Sequence, residues 1–95
     1  KTGSSNTKVF IQTLLPISKK KSRKYYKLYN QRIRSINKFI IENQQKELYS
    51  VINLYPLFVN KKEQLKNNLT YDGLHLNEQG YEVWSSLIKP ITDSL

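Results

Sequence analysis

The chain has 95 residues, a formal net charge of +9, 38% hydrophobic and 12% aromatic residues, and no cysteine. That length allows one small domain with a thin stability margin, and the aromatic content argues for a packed core rather than a disordered chain. Disulfides and thiolate metal sites are excluded, and no apolar run approaches the roughly 20 residues that span a bilayer.

The positive charge has two readings. A basic domain can meet nucleic acid or an anionic surface. A chain rich in lysine, asparagine and isoleucine can equally carry its basic residues as solvated side chains. The nine asparagines favour the second reading.

Residues 1–7 are a Gly/Ser/Asn/Thr lead-in, read as a loop or frayed end. Residues 8–15 contain the continuous apolar run Val9-Phe10-Ile11, which predicts a strand buried on both faces, as in a parallel sheet. Pro16 ends it, because proline cannot donate to a ladder. A basic connection follows, with Lys19, Lys20, Lys21, Arg23 and Lys24. Tyr26, Tyr29, Ile33, Ile36 and Ile40, widened by Phe39 and Ile41, then recur at helical spacing. They predict an amphipathic helix over residues 24–45 with that stripe against a core.

Leu48, Val51, Ile52 and Leu54 give a second strand over residues 49–53. Strand, long helix and strand make a βαβ crossover, hence parallel strands with a right-handed connection. Residues 55–76 read as a long loop with a short helical turn near 56–59. Asn77 is the expected N-cap of a final helix over residues 78–94, with Tyr81, Trp84, Leu87, Ile88 and Ile91 as its buried stripe. Pro90 should kink that helix or end its first part.

The order β-α-β-loop-α does not close an α/β domain. A strand buried on both faces needs neighbours on both sides, and the chain supplies one. The sequence therefore predicts the C-terminal part of a larger parallel-sheet α/β domain, with residues 1–95 forming one portion of it.

The densest chemistry lies in Thr70-Tyr71-Asp72-Gly73-Leu74-His75-Leu76-Asn77. His75 is the sole histidine, and imidazole moves protons near neutral pH. A base needs one ring nitrogen free and the other held by an acceptor; Asp72, three residues earlier across Gly73, can supply it. In open parallel sheets, ligands bind beyond the carboxyl ends of the strands, where this loop belongs by topology. The bland alternative is a surface Asp-Gly turn with a histidine covering a helix start. No second histidine or acidic cluster completes a metal shell, so no metal or cofactor is expected.

Asp72-Gly73-Leu74-His75-Leu76-Asn77, followed by Gly80-Tyr81 and Trp84, resembles the C-terminal signature block of the SGNH/GDSL hydrolases. Gln12-Thr13-Leu14-Leu15-Pro16 resembles the end of that family's penultimate core strand, and Tyr29-Asn30-Gln31-Arg32-Ile33 the start of its following helix. Leu54-Tyr55-Pro56-Leu57-Phe58 resembles the exit of its last strand. The pattern is nearest the bacterial acetylesterase-like and platelet-activating-factor-acetylhydrolase-like branch.

The resemblance implies a three-layer α/β/α fold and an esterase with a serine nucleophile. It makes His75 the general base and Asp72 its orienting acid. The branch resembled implies an ester substrate with a short acyl group, acetyl on a carbohydrate. The family's Gly-Asp-Ser nucleophile block and its glycine and asparagine oxyanion donors have no counterpart here. Ser4 and Ser5 follow a glycine but precede a strand instead of leaving its carboxyl end. The expectation is a piece that is inactive alone and needs an N-terminal part of the same domain. The competing class is a nucleic-acid-binding or non-catalytic interaction module using the stretch from Lys19 through Lys24, where charge interleaves with Tyr25 and Tyr26.

Overall fold

The computed structural model describes residues 9–44 and 49–93. The predicted lead-in over residues 1–7, with Ser4 and Ser5, lies outside the described residues, as do Lys8, Gln45, Leu48 and Ser94. The elements run β1 (Phe10–Gln12), α1 (Tyr26–Glu42), β2 (Ser50–Ile52), α2 (Tyr55–Phe58), a 3-10 turn (Asn67–Leu69) and α3 (Glu78–Asp93).

The two strands are parallel, with Phe10 beside Ser50, Ile11 beside Val51 and Gln12 beside Ile52. The ladder extends one bond at each end, from the Ser50 N–H to the Val9 carbonyl and from the Thr13 N–H to the Ile52 carbonyl. Side-chain alternation puts Phe10, Gln12 and Ile52 on one face and Ile11 and Val51 on the other. β1 is shorter than predicted and is not buried on both faces. Val9 is half exposed and Phe10 and Ile11 are half buried, because β2 is its only strand neighbour among the described residues.

The core lies largely in the stretch predicted as a loop. Ile52, Leu54, Phe58, Leu65 and Leu69 are buried together, and Phe10, Leu15, Val83, Trp84, Leu87, Ile88 and Ile91 pack against them. α2 forms within one residue of the predicted helical turn. The Thr13 hydroxyl accepts the N–H groups of Leu54 and Tyr55 at 2.9 and 3.1 Å, satisfying donors that a helix start leaves open.

α1 corrects the predicted stripe. Tyr29, Ile36 and Phe39 are 46%, 46% and 67% exposed, and Asn30 and Asn37 are buried instead. The Asn30 amide accepts the Ile17 N–H at 2.8 Å and donates to the Ile17 and Glu63 carbonyls at 2.8 and 3.0 Å. Asn37 accepts the Leu14 N–H at 2.7 Å and donates to the Leu14 carbonyl at 2.9 Å. Seven residues of helix rise about 10.5 Å, and three residues of extended chain span about 10 Å. The two asparagines therefore meet Leu14 and Ile17 in register, and the fully buried line of the helix is made of amides, with Tyr26, Ile33 and Ile40 of the predicted stripe half buried beside it.

α3 starts where Asn77 predicts: its side-chain oxygen accepts the Gly80 N–H at 2.8 Å. Val83 replaces Tyr81 in the packed stripe, and Tyr81 is 59% exposed. The helix continues past Pro90 to Asp93, since proline's fixed φ suits a helix and costs one bond near its end.

Asn30→Ala leaves the buried Ile17 N–H unpaired and removes the bonds to the Ile17 and Glu63 carbonyls, and should lower stability by roughly 1–3 kcal/mol. Tyr29→Ala should stay within about 1 kcal/mol, as surface substitutions do. Urea unfolding of both variants checks the contrast; equal losses would return Tyr29 to the core.

Candidate active site

The stretch 70–76 is a closed loop. Thr70 and Leu76 form an antiparallel bridge at its neck. Inside it, the Thr70 hydroxyl donates to the His75 carbonyl and accepts the Gly73 N–H at 2.9 Å. The chain reverses at Gly73, with φ at +88°, a conformation that glycine adopts without strain. A Cβ there would also lie 2.6 Å from the Lys21 nitrogen and 2.6 Å from the Ser18 hydroxyl.

This turn brings Asp72 and His75 together. Asp72 Oδ1 accepts the N–H groups of Leu74 and His75 at 2.9 and 2.7 Å, and Oδ2 lies 2.7 Å from His75 Nδ1. The hydrogen bond from the His75 ring, then the backbone N–H groups of His75 and Leu74, hold the Asp72 carboxyl well below the usual carboxylate range. An ionised carboxylate only accepts, so Nδ1 carries the proton and donates, which in the neutral imidazole leaves the lone pair on Nε2. Among the described residues Nε2 has no hydrogen-bond partner. The His75 side chain is 63% exposed, with the Tyr71 ring stacked beside it at 6.1 Å and 15°.

The loop is anchored on two sides. The Ser18 N–H donates to the Gly73 carbonyl at 3.0 Å, and Lys20 Nζ donates to the Tyr71 carbonyl at 3.3 Å. Both donors lie on the chain that leaves the carboxyl end of β1, so the pair stands on the rim that topology assigned to it. On the other side, the Asn77 N–H donates to the Leu69 carbonyl at 3.0 Å. Gly80 lets α3 sit directly on Leu69 and Leu76; a Cβ would meet the Leu69 carbonyl oxygen and approach Leu76 Cβ to 2.9 Å.

Thr70, Ser18 and Lys20 are the supporting residues that the sequence reading missed. Thr70 had a local signal, a hydroxyl three residues before a turn glycine. Ser18 and Lys20 had none, because they lie more than fifty residues from the loop. No group of three or more His, Asp or Glu residues able to hold a metal ion occurs among the described residues. No described helix is long and apolar enough to cross a membrane.

No family model and no curated protein matches the chain. Solved structures do. A protein from Bacteroides fragilis described as an acylhydrolase matches with a TM-score of 0.80 and 25% identity, over 96% of this chain and 44% of that one. A GDSL-like lipase from Bacteroides thetaiotaomicron matches with a TM-score of 0.79 and 28% identity, over 97% of this chain and 46% of that one. The chain is related to the SGNH/GDSL hydrolases. Its two-stranded parallel sheet and three helices match the GDSL hydrolase fold as a C-terminal part. A Streptococcus pneumonia protein described by the name platelet activating factor shares the fold, with a TM-score of 0.72 and 24% identity over 90% of this chain and 41% of that one. This GDSL-related chain thus spans less than half the length of the solved structures it matches.

The low Asp72 pKa fixes the sign of a pH effect. Its bonds stabilise the folded loop fully above the unfolded carboxyl value of about 3.9. That contribution falls away as pH drops through the lower folded value. Hydrogen exchange should show the Leu74 and His75 amides still protected at about pH 4 and losing protection only below it. In Asp72→Asn this acid transition should vanish. A carboxyl resonance for Asp72 titrating at its unfolded value would contradict the geometry.

Proposed function

We propose that the chain is the C-terminal portion of one SGNH/GDSL-type domain that hydrolyses esters, with His75 as general base and Asp72 as its orienting acid. The observation that carries this reading is the 2.7 Å contact between Asp72 Oδ2 and His75 Nδ1, with Nε2 exposed and unpartnered among the described residues. The nucleophile is a serine supplied by residues outside these 95, since the sequence has no Gly-Asp-Ser block. Among the described serines, Ser18 is buried and its hydroxyl accepts the Lys20 N–H.

In this mechanism Nε2 takes the proton of the attacking hydroxyl as its oxygen adds to the acyl carbon. The same proton passes to the leaving alkoxide when the tetrahedral intermediate collapses. Nε2 then deprotonates a water that attacks the acyl-enzyme, and returns that proton to the serine as the acid departs. Asp72 stays ionised throughout; it holds the imidazole in the required tautomer and stabilises the imidazolium. Tyr71, stacked on the ring, and Thr70, bonded to the His75 carbonyl, limit ring and backbone rotation. A short acyl group, acetyl on a carbohydrate, is the substrate favoured by the branch that the signature block resembles.

In the protein that unites this chain with its nucleophile, His75→Ala should lower kcat on p-nitrophenyl acetate by about a thousandfold or more, and Asp72→Asn by a comparable factor. Residues 1–95 alone should show no turnover above the buffer rate. Turnover by that piece that a serine-directed reagent abolishes, or a His75→Ala protein with unchanged kcat, would overturn the assignment.

A further inference from the structure

The two basic stretches of the sequence, forty residues apart, converge. Lys19, Lys20 and Arg23 on the chain after β1 face Lys61 and Lys62 across an open cleft of about 790 Å³. No carboxylate lines it, and none of the five cations belongs to an ion pair among the described residues. Glu63, the neighbouring acid, adopts the left-handed φ of +62° and pairs with Arg34 at 3.0 Å instead. A non-glycine residue in that conformation is uncommon, and here the Glu63 carboxylate is taken up by Arg34 and does not line the cleft.

The walls are fixed. Gln64, itself buried, accepts the Lys19 N–H at 2.8 Å and so ties one wall to the other. Asn60 accepts the N–H groups of Lys62 and Gln64 at 2.8 and 3.0 Å. Five like charges held along one cleft repel one another unless an anion lies between them. The cleft also adjoins the Asp72–His75 loop, because Lys20 bonds the Tyr71 carbonyl and the backbone of Lys21 abuts Gly73.

We propose that this cleft binds an acidic saccharide chain and presents its ester to His75. The proposal rests on the ester-hydrolase reading and names the substrate class of the same site. Cations match the acid groups of such a chain, and Asn60, Gln64 and Asn67 in the lining suit its hydroxyls. No aromatic ring lines the cleft, so single-stranded nucleic acid would find charge but no stacking platform. No Leu, Ile, Val or Phe side chain lines it either, which disfavours a lipid tail.

Binding can be measured without turnover. An octamer of galacturonate, a neutral dextran oligomer of equal length and a single-stranded RNA 12-mer are titrated against the protein at several salt concentrations. The uronate should bind at least about tenfold tighter than the dextran or the RNA, with an affinity that falls steeply with salt. Lys61→Gln/Lys62→Gln should weaken uronate binding and make the remaining affinity less sensitive to salt. His75→Ala should leave uronate binding unchanged. Uronate binding no tighter than dextran, or unchanged in the double variant, overturns the proposal; tighter RNA binding replaces it with a nucleic-acid groove. Failure of the ester reading shows separately, as unchanged turnover in His75→Ala.

Discussion

The site depends on how α1 is held against the chain leaving β1. Asn30 and Asn37 act as surrogate backbone, each satisfying both the donor and the acceptor of one residue, Ile17 and Leu14. This fixes an irregular segment that has no ladder of its own. The segment carries Ser18, whose N–H donates to the Gly73 carbonyl, and Gly73 is the pivot of the Asp72–His75 turn. The histidine is thus positioned through a chain of hydrogen bonds that begins in a helix far from it in sequence. The bonds from Asn30 to Ile17 and from Gly73 to Thr70 are buried, so they gain strength from the reduced local dielectric, whereas those of the Asp72–His75 pair are exposed.

The Asp72–His75 turn is otherwise self-contained. Three donors converge on one carboxylate, and a threonine hydroxyl serves both strands of the loop. Such a carboxylate is ionised across the working range of pH, and its oxygens have little freedom to turn elsewhere. The imidazole then needs no rearrangement to present a basic nitrogen outward. The same economy shows at Gly73 and Gly80, where backbone touches backbone and a methyl group would separate the loop from its supports.

Two apolar surfaces remain exposed in the described structure. Tyr25, Leu28, Tyr29, Ile36 and Phe39 lie along one side of α1, and β1 has a strand neighbour on one edge only. Both belong to elements that the sequence reads as interior parts of a larger sheet domain. The match to GDSL hydrolase structures over less than half their length agrees with that reading of the pattern. The apolar spacing in α1 is thus a true signal of amphipathicity, but this chain covers only one edge of the face it marks, half burying Tyr26, Ile33 and Ile40.

What the sequence determined by itself is local. The strand, helix and turn signals depend on residues within four positions of one another, so β1, α1, β2, α2 and α3 were all legible, as were the Asn77 cap and the Asp72–Gly73–His75 turn. Tertiary structure decided the rest. It chose amides over apolar side chains for the fully buried line of α1, because Asn30 and Asn37 match unpaired backbone groups whose position hydropathy cannot reveal. It put the core into the stretch 54–69, where Leu54 and Phe58, and Leu65 and Leu69, are each four apart, but the polar run of residues 60–64 separates the two pairs and they meet only once the chain folds back. It also brought Lys19, Lys20 and Arg23 to Lys61 and Lys62, since charge carries no periodicity from which such a meeting could be read.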